Sequence, residues 1–192
     1  VYHRNNGVWS ENEKFNEWLI DGSDDLTNGC KFGTQVAIDG DYFIVSAHEH
    51  GVVGAGTSKA GAAYIYHRSG TTWTQHTKLT ESNPGSYYWF STSVGLHGEY
   101  AIISAEHYDD DHGGDNGVVY IYHRSGTTWT EQAKLTPSDP NSNNDESDNF
   151  GCSVAIHENY AIIGARMHTE TISGTETKGV GAVYIYHRSG TT

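Results

Sequence analysis

The ten residues Tyr64-Ile65-Tyr66-His67-Arg68-Ser69-Gly70-Thr71-Thr72-Trp73 return unchanged at Tyr120 to Trp129, and their opening returns at Tyr184 to Thr191. A degenerate copy, Val1-Tyr2-His3-Arg4, starts the chain. A second signature interleaves with the first: Phe32-Gly33-x-x-Val36-Ala37-Ile38, Phe90-Ser91-x-x-Val94-Gly95-Leu96 and Phe150-Gly151-x-x-Val154-Ala155-Ile156. The phenylalanines are 58 and 60 residues apart and the Tyr-Ile-Tyr blocks 56 and 64, a period near 60. Such a period means one supersecondary unit copied side by side, so fold and function must be read per repeat.

Within one repeat the hydrophobic pattern has period two. Phe32, Thr34, Val36 and Ile38 alternate with Gly33, Gln35 and Ala37, which predicts a strand. Asp39-Gly40-Asp41 then supplies the positive φ of a tight hairpin. Tyr42 to Ala47, Tyr100 to Ala105 and Tyr160 to Ala165 are apolar on both faces, as strands inside a stack of sheets must be. Ala62 to Arg68 is a third strand, and Trp73 to Leu79 a mostly polar fourth strand suited to an outer edge. Four antiparallel strands grading from buried to exposed make one blade of a β-propeller.

The fold class expected is therefore all-β, with about three repeats of four-stranded blades inside a larger or oligomeric ring. The boundaries are 1–20 for a partial blade of third and fourth strands, 32–80 and 90–136 for two blades, and 150–192 for the first three strands of another. Propellers need four or more blades, so further copies of the repeat, in a longer chain or a second one, are expected partners.

A formal net charge of −13 with only 11 Lys and Arg excludes a nucleic-acid stripe and disfavours anionic membranes. No apolar run is long enough to insert in a bilayer. Cys30 and Cys152 are too few for a disulfide framework and read as unpaired thiols, with a disulfide in an extracellular compartment as the alternative.

The elements Phe-Gly-x-x-Val-Ala-Ile, Tyr-x-Ile-Val-Ser-Ala and Gly-Ala-x-Tyr-Ile-Tyr resemble those of the FG-GAP repeat family, and the chain is similar to the propeller of integrin α subunits over nearly its whole length. The resemblance implies an extracellular or cell-surface adhesion and recognition scaffold. Two departures stand out: Ser91 replaces the glycine of the second copy, and no proline completes Ser46-Ala47, Ser104-Ala105 or Gly164-Ala165. The integrin-like calcium loop between first and second strands is also missing. Asp39-Gly40-Asp41, His97-Gly98-Glu99 and His157-Glu158-Asn159 are too short to offer six to eight oxygens.

Oxygen ligands recur elsewhere. The blade connection from Asp139 to Asp148 sets Asp139, Asn141, Asn143 and Asp145 at alternate positions, the spacing of a Ca²⁺ turn, with Asp148 beyond. The middle loop offers Asp109, Asp111 and Asp115, with His107 and His112 permitting a transition metal. For both segments a solvated acidic loop is the competing reading. Ca²⁺ is thus the one cofactor expected.

Tyr87, Tyr88 and Trp89 occur in one repeat only and lie in a connection, which makes them the aromatic candidates for ligand contact. His3, His67, His123 and His187, once per repeat, read as packing residues between blades, as do Trp9, Trp73 and Trp129. No catalytic triad, phosphate loop or zinc signature is present. The function expected is a structural or recognition module presenting loops to a protein or carbohydrate ligand, with no enzymatic activity. The alternative is a propeller enzyme acting on sugars or phosphoesters.

Overall fold

A computed structural model describes residues 1–16, 29–51, 58–82, 84–108, 116–140 and 147–190. Those residues form strands and turns without a helix, so no helix among them is long and apolar enough to cross a membrane.

The first complete blade is β3 (Val36–Asp39), β4 (Tyr42–Ala47), β5 (Ala62–Ser69) and β6 (Thr72–Leu79), hydrogen-bonded in that order and antiparallel throughout. The second repeats it with β7 (Val94–His97), β8 (Tyr100–Ala105), β9 (Val118–Ser125) and β10 (Thr128–Leu135). A third sheet holds β11 (Phe150–His157), β12 (Tyr160–Ala165) and β15 (Ala182–His187). Before them stands a separate hairpin of β1 (Tyr2–Asn5) and β2 (Val8–Glu11), turned at Asn6-Gly7 with both residues at positive φ.

One expectation shifts. First strands were placed from Phe32 and Phe90, but β3 and β7 begin only at Val36 and Val94. The residues before them turn through positive φ at Lys31 and Gly33, and at Trp89 and Ser91, so the chain enters each blade through a twist rather than along the strand. The connection from Met167 to Gly179 contains a small hairpin of β13 (Glu170–Ile172) and β14 (Thr175–Thr177) around Ser173-Gly174. No disulfide joins Cys30, which is buried, to Cys152, which is partly buried.

The blades stack face to face, and the apolar layers between them are the core. Ile44, Ala63 and Ile65 of the first blade pack against Phe90, Val94, Ala101, Ile103, Tyr120 and Tyr122 of the second. Ile102, Val119 and Ile121 of the second pack in the same way against Phe150, Ala161 and Ile163 of the third. Strands buried on both faces therefore read as continuous apolar runs because each face meets a different neighbour.

Polar contacts fix the stacking. Ser91, standing where its counterparts are glycine, keeps a glycine-like φ of 77°. Its hydroxyl donates to the Ala62 carbonyl at 2.6 Å and accepts from the Ala47 amide at 3.2 Å, so the serine bolts the second blade to the first. The Gly98 amide donates to Asp39 Oδ2 at 2.6 Å, and the Val154 amide to Ser93 Oγ at 3.2 Å. Gly61 and Gly117 sit where a Cβ would lie 2.1 and 2.2 Å from the carbonyl oxygens of Phe90 and Phe150, so only glycine lets the next blade approach this closely.

The recurrent histidines pack within blades rather than between them. His67, His123 and His187 each face the second-strand tyrosine of their own sheet, at 4.6, 4.7 and 4.7 Å between ring centroids. The register decides this, since Tyr42 pairs with His67, Tyr100 with His123 and Tyr160 with His187.

Candidate functional site

Antiparallel strands send all connections of one kind to one end of a blade. The loops joining second to third strands and the passages from one blade to the next therefore share a face, opposite the tight hairpins. Among the expected site residues that the structure describes, Tyr87, Tyr88, Trp89, Asp139 and Asp148 belong to that loop face.

Across it runs a row of side chains from three blades. Lys59 Nζ meets Glu49 Oε2 at 3.0 Å and lies 6.0 Å over the Trp89 ring. Trp89 stands edge-on to His107 at 4.4 Å and beside His48 at 5.8 Å. Glu106 is 3.7 Å from His107 Nε2 and accepts from Arg166 Nη1 of the third blade at 3.1 Å. Burial lowers the His48 pKa, countered in part by Glu49 and Glu106, and so favours the neutral imidazole.

The aromatic triplet divides into different roles. The Tyr87 and Trp89 amides donate to the Ser58 and Lys59 carbonyls, and Phe90 bridges Gly61 in parallel, so the segment is strapped along the preceding blade's loop. Holding it there requires positive φ at Tyr87, Trp89 and Ser91, an arrangement costly for non-glycine residues. Trp89 is enclosed in the row just described. Tyr88 packs on Tyr108 at 4.7 Å, while Tyr87 projects into solvent.

Of the expected oxygen ligands, Asp139 and Asp148 are described and both approach His168, at 3.8 Å from Nε2 and 3.3 Å from Nδ1 respectively. The Tyr184 hydroxyl donates to Asp139 Oδ1 at 2.7 Å. Burial, and then Asp139 itself, push the Tyr184 phenol up. Asp148 is wholly buried, whereas the Asp139 side chain remains largely open. Asn141, Asn143 and Asp145 lie outside the described residues, as do Asp109, Asp111 and Asp115. Among the described residues no group of three His, Cys, Asp or Glu side chains could hold a metal ion.

Sequence reasoning missed a carboxylate and tyrosine pairing that recurs between blades. The Tyr120 hydroxyl donates to Glu81 Oε1 at 2.7 Å, as Tyr184 does to Asp139. Burial raises the Glu81 pKa, with the Tyr120 hydroxyl opposing it. The next tyrosine of each block ties the same connection through its backbone, Tyr186 donating to the Thr136 carbonyl at 2.6 Å. The signal was available: the first tyrosine of every Tyr-Ile-Tyr block has an acidic residue soon after the preceding fourth strand.

The FG-GAP repeat profile matches residues 22–66, 73–122 and 129–186, most of the chain. The chain belongs to the FG-GAP repeat family. The second and third matches begin at the fourth strand of one blade and end at the third strand of the next. These two FG-GAP repeats are thus offset by one strand from the blade, and each stitches two blades together. No curated protein matches the chain.

Proposed function

We propose that this FG-GAP chain is an extracellular or cell-surface recognition module whose blade stack presents the loop face to a protein or carbohydrate ligand. One observation carries the reading: the repeated Tyr-Ile-Tyr residues and tryptophans of the two complete blades are buried in contacts within and between blades, while residues that differ gather on the loop face around Tyr87, Trp89, His107 and Arg166. Loops on a rigid scaffold are where recognition resides. FG-GAP repeats generally serve adhesion and recognition rather than catalysis.

The test is binding of the chain to arrays of glycans and of surface-protein ectodomains, beside a Tyr87→Ser variant. A ligand that binds the parent chain and loses at least about tenfold in affinity with the variant supports the reading. Turnover of a sugar or phosphoester substrate by the loop face would replace it with the enzymatic alternative.

Ca²⁺ enters this reading at the 139–148 connection, where the Asp139 side chain stays open and Asn141, Asn143 and Asp145 follow it in the sequence. A bound divalent ion would offset repulsion among these carboxylates and stabilise the fold by about 2.7 kcal/mol at a hundredfold excess over its dissociation constant. Replacing Asp139 and Asp145 with Asn should abolish that gain, and changing Asp109 and Asp111 should not. Absence of heat and of any melting shift at millimolar Ca²⁺ would leave the connection a solvated linker.

A further inference from the structure

The turn between first and second strands is too short to offer Ca²⁺ its oxygens, yet in two blades it starts from a histidine. The last residue of the first strand is Asp39 in β3, His97 in β7 and His157 in β11. Strand alternation sets the direction of these side chains. Leu96 and Ile156 pack toward the preceding blade, so their neighbours His97 and His157 are set toward the following one. Asp39 crosses its junction in that way, its carboxylate accepting from the Gly98 amide at 2.6 Å. His97 crosses the next junction, and the ring it meets is His157, 4.5 Å away between centroids and tilted by 43°.

The pair is held from behind by its own strands. Gly95 brings β7 within side-chain contact of β11, since a Cβ there would stand 3.7 Å from Ile156 Cγ2. Nearer the start of the same strands, the Val154 amide donates to Ser93 Oγ at 3.2 Å. Each histidine also closes a two-residue turn, His97 opposite Tyr100 and His157 opposite Tyr160. Both backbones are therefore fixed before any ligand arrives, which lowers the entropy lost on binding.

Two imidazoles in this relation have a specific chemistry. A ring nitrogen binds Zn²⁺ at about 2.0–2.1 Å, and the ring centre lies about 1.1 Å behind it, so two imidazoles at right angles around one ion have centroids about 4.5 Å apart. His97 and His157 are at that separation. The recurrent His67, His123 and His187 face tyrosines instead, which offer no second nitrogen. Imidazole selects zinc, nickel and copper, whereas Ca²⁺ takes oxygen.

We propose that His97 and His157 together bind one divalent ion of the zinc, nickel and copper class, which clips the second blade to the third at the hairpin face. Water completes the coordination shell, because among the described residues no group of three His, Cys, Asp or Glu side chains could hold the ion. The formal charge of −13 draws cations to the chain. The site is separate from the 139–148 connection on the loop face and stands whether or not Ca²⁺ binds there.

The test is calorimetric titration with Zn²⁺ of the chain carrying Cys30→Ser and Cys152→Ser, which removes competing thiols. One saturable equivalent should bind, and excess Ca²⁺ should leave it in place. His97→Asn and His157→Asn should each weaken binding by at least about tenfold, the cost of losing even an outer partner of a metal ligand. His3→Asn, which alters an exposed histidine of β1, should not change it. With Cu²⁺ as the probe, electron paramagnetic resonance should show coupling to two imidazole nitrogens in the parent and to one in either variant. That spectrum reports the ligands directly, so it separates a lost ligand from a loosened fold.

Absence of Zn²⁺ binding overturns the proposal. Binding that survives both substitutions, or a Cu²⁺ spectrum that neither substitution changes, overturns it equally and leaves the two rings as a packing contact between blades.

Discussion

Tyr120-Ile121-Tyr122 and Tyr184-Ile185-Tyr186 are the same residues on the same strand of neighbouring blades, and they live in different surroundings. In the second blade Ile121 is covered by the third blade. In the third blade Ile185 faces outward. Both tyrosines of each block face the blade before them, so they keep their partners in both copies, Glu81 and Thr80 for one and Asp139 and Thr136 for the other. An FG-GAP blade is thus two-sided: its tyrosine side binds the preceding repeat and its isoleucine side waits for the following one. A repeat's stability is a sum of its own terms and those of its neighbours, and the third blade lacks one neighbour term among the described residues.

The comparison is tested most severely by truncation. Ile121→Ala should destabilise the chain by about 3 kcal/mol, since it removes buried methylenes and leaves a cavity. Ile185→Ala, on dilute chain, should cost under about 1 kcal/mol because its side chain is already in water. Urea denaturation of both variants measures the gap, and equal costs would break the two-sided description.

Glycine gives the next effect. Gly117→Ala would drive a Cβ to 2.2 Å from the Phe150 carbonyl oxygen and should cost about 3 kcal/mol, the clash adding to positive-φ strain. Gly181, its counterpart in the third blade, has a similar φ of 78° but no atom nearer than 3.5 Å. Gly181→Ala should therefore show only the strain, about 1 kcal/mol. Thermal melts of the pair isolate the close approach from the backbone conformation.

Ser91→Ala should cost about 1.5 kcal/mol, because it leaves the buried Ala62 carbonyl and Ala47 amide without their shared hydroxyl. Ser91→Gly should recover part of that loss by relieving the positive φ. If both variants melt with the parent, the hydroxyl contributes nothing to the junction.

The smallest effect appears only as a change with pH. A carboxyl whose folded pKa is raised, as Glu81's is by burial, holds its proton more tightly in the fold. Its contribution is present below the ordinary glutamate value of 4.5 and is lost as pH rises through the raised value. Glu81→Gln keeps an acceptor for Tyr120 without the charge, so the variant should gain on the parent between acidic and neutral pH. A difference independent of pH would mean that Glu81 is not strained by burial.

Much of this was legible because a repeat is a local pattern read several times. The blade count, the strand order and the two-faced apolar runs at Tyr42 to Ala47 and Tyr100 to Ala105 follow from period two and the tight hairpins. The loop face was legible in part: Tyr87, Tyr88 and Trp89 were marked by being unrepeated. Their separation into an exposed Tyr87 and an enclosed Trp89 was not, because it depends on hydrogen bonds to Ser58 and Lys59 of another blade.

The sequence by itself determined the blade, since alternation and turn chemistry act over a few residues. It also placed the acidic residues near the tyrosine blocks, without saying that they meet. The tertiary structure alone decided that His67 and His123 serve their own blades, that Ser91 joins two blades, and that Asp148 turns inward to His168 while Asp139 stays open. The stacking of sheets brings together residues dozens of positions apart, and identical strands acquire different burial according to what lies beyond them. For Ile121 and Ile185 no local pattern could have told the buried copy from the exposed one.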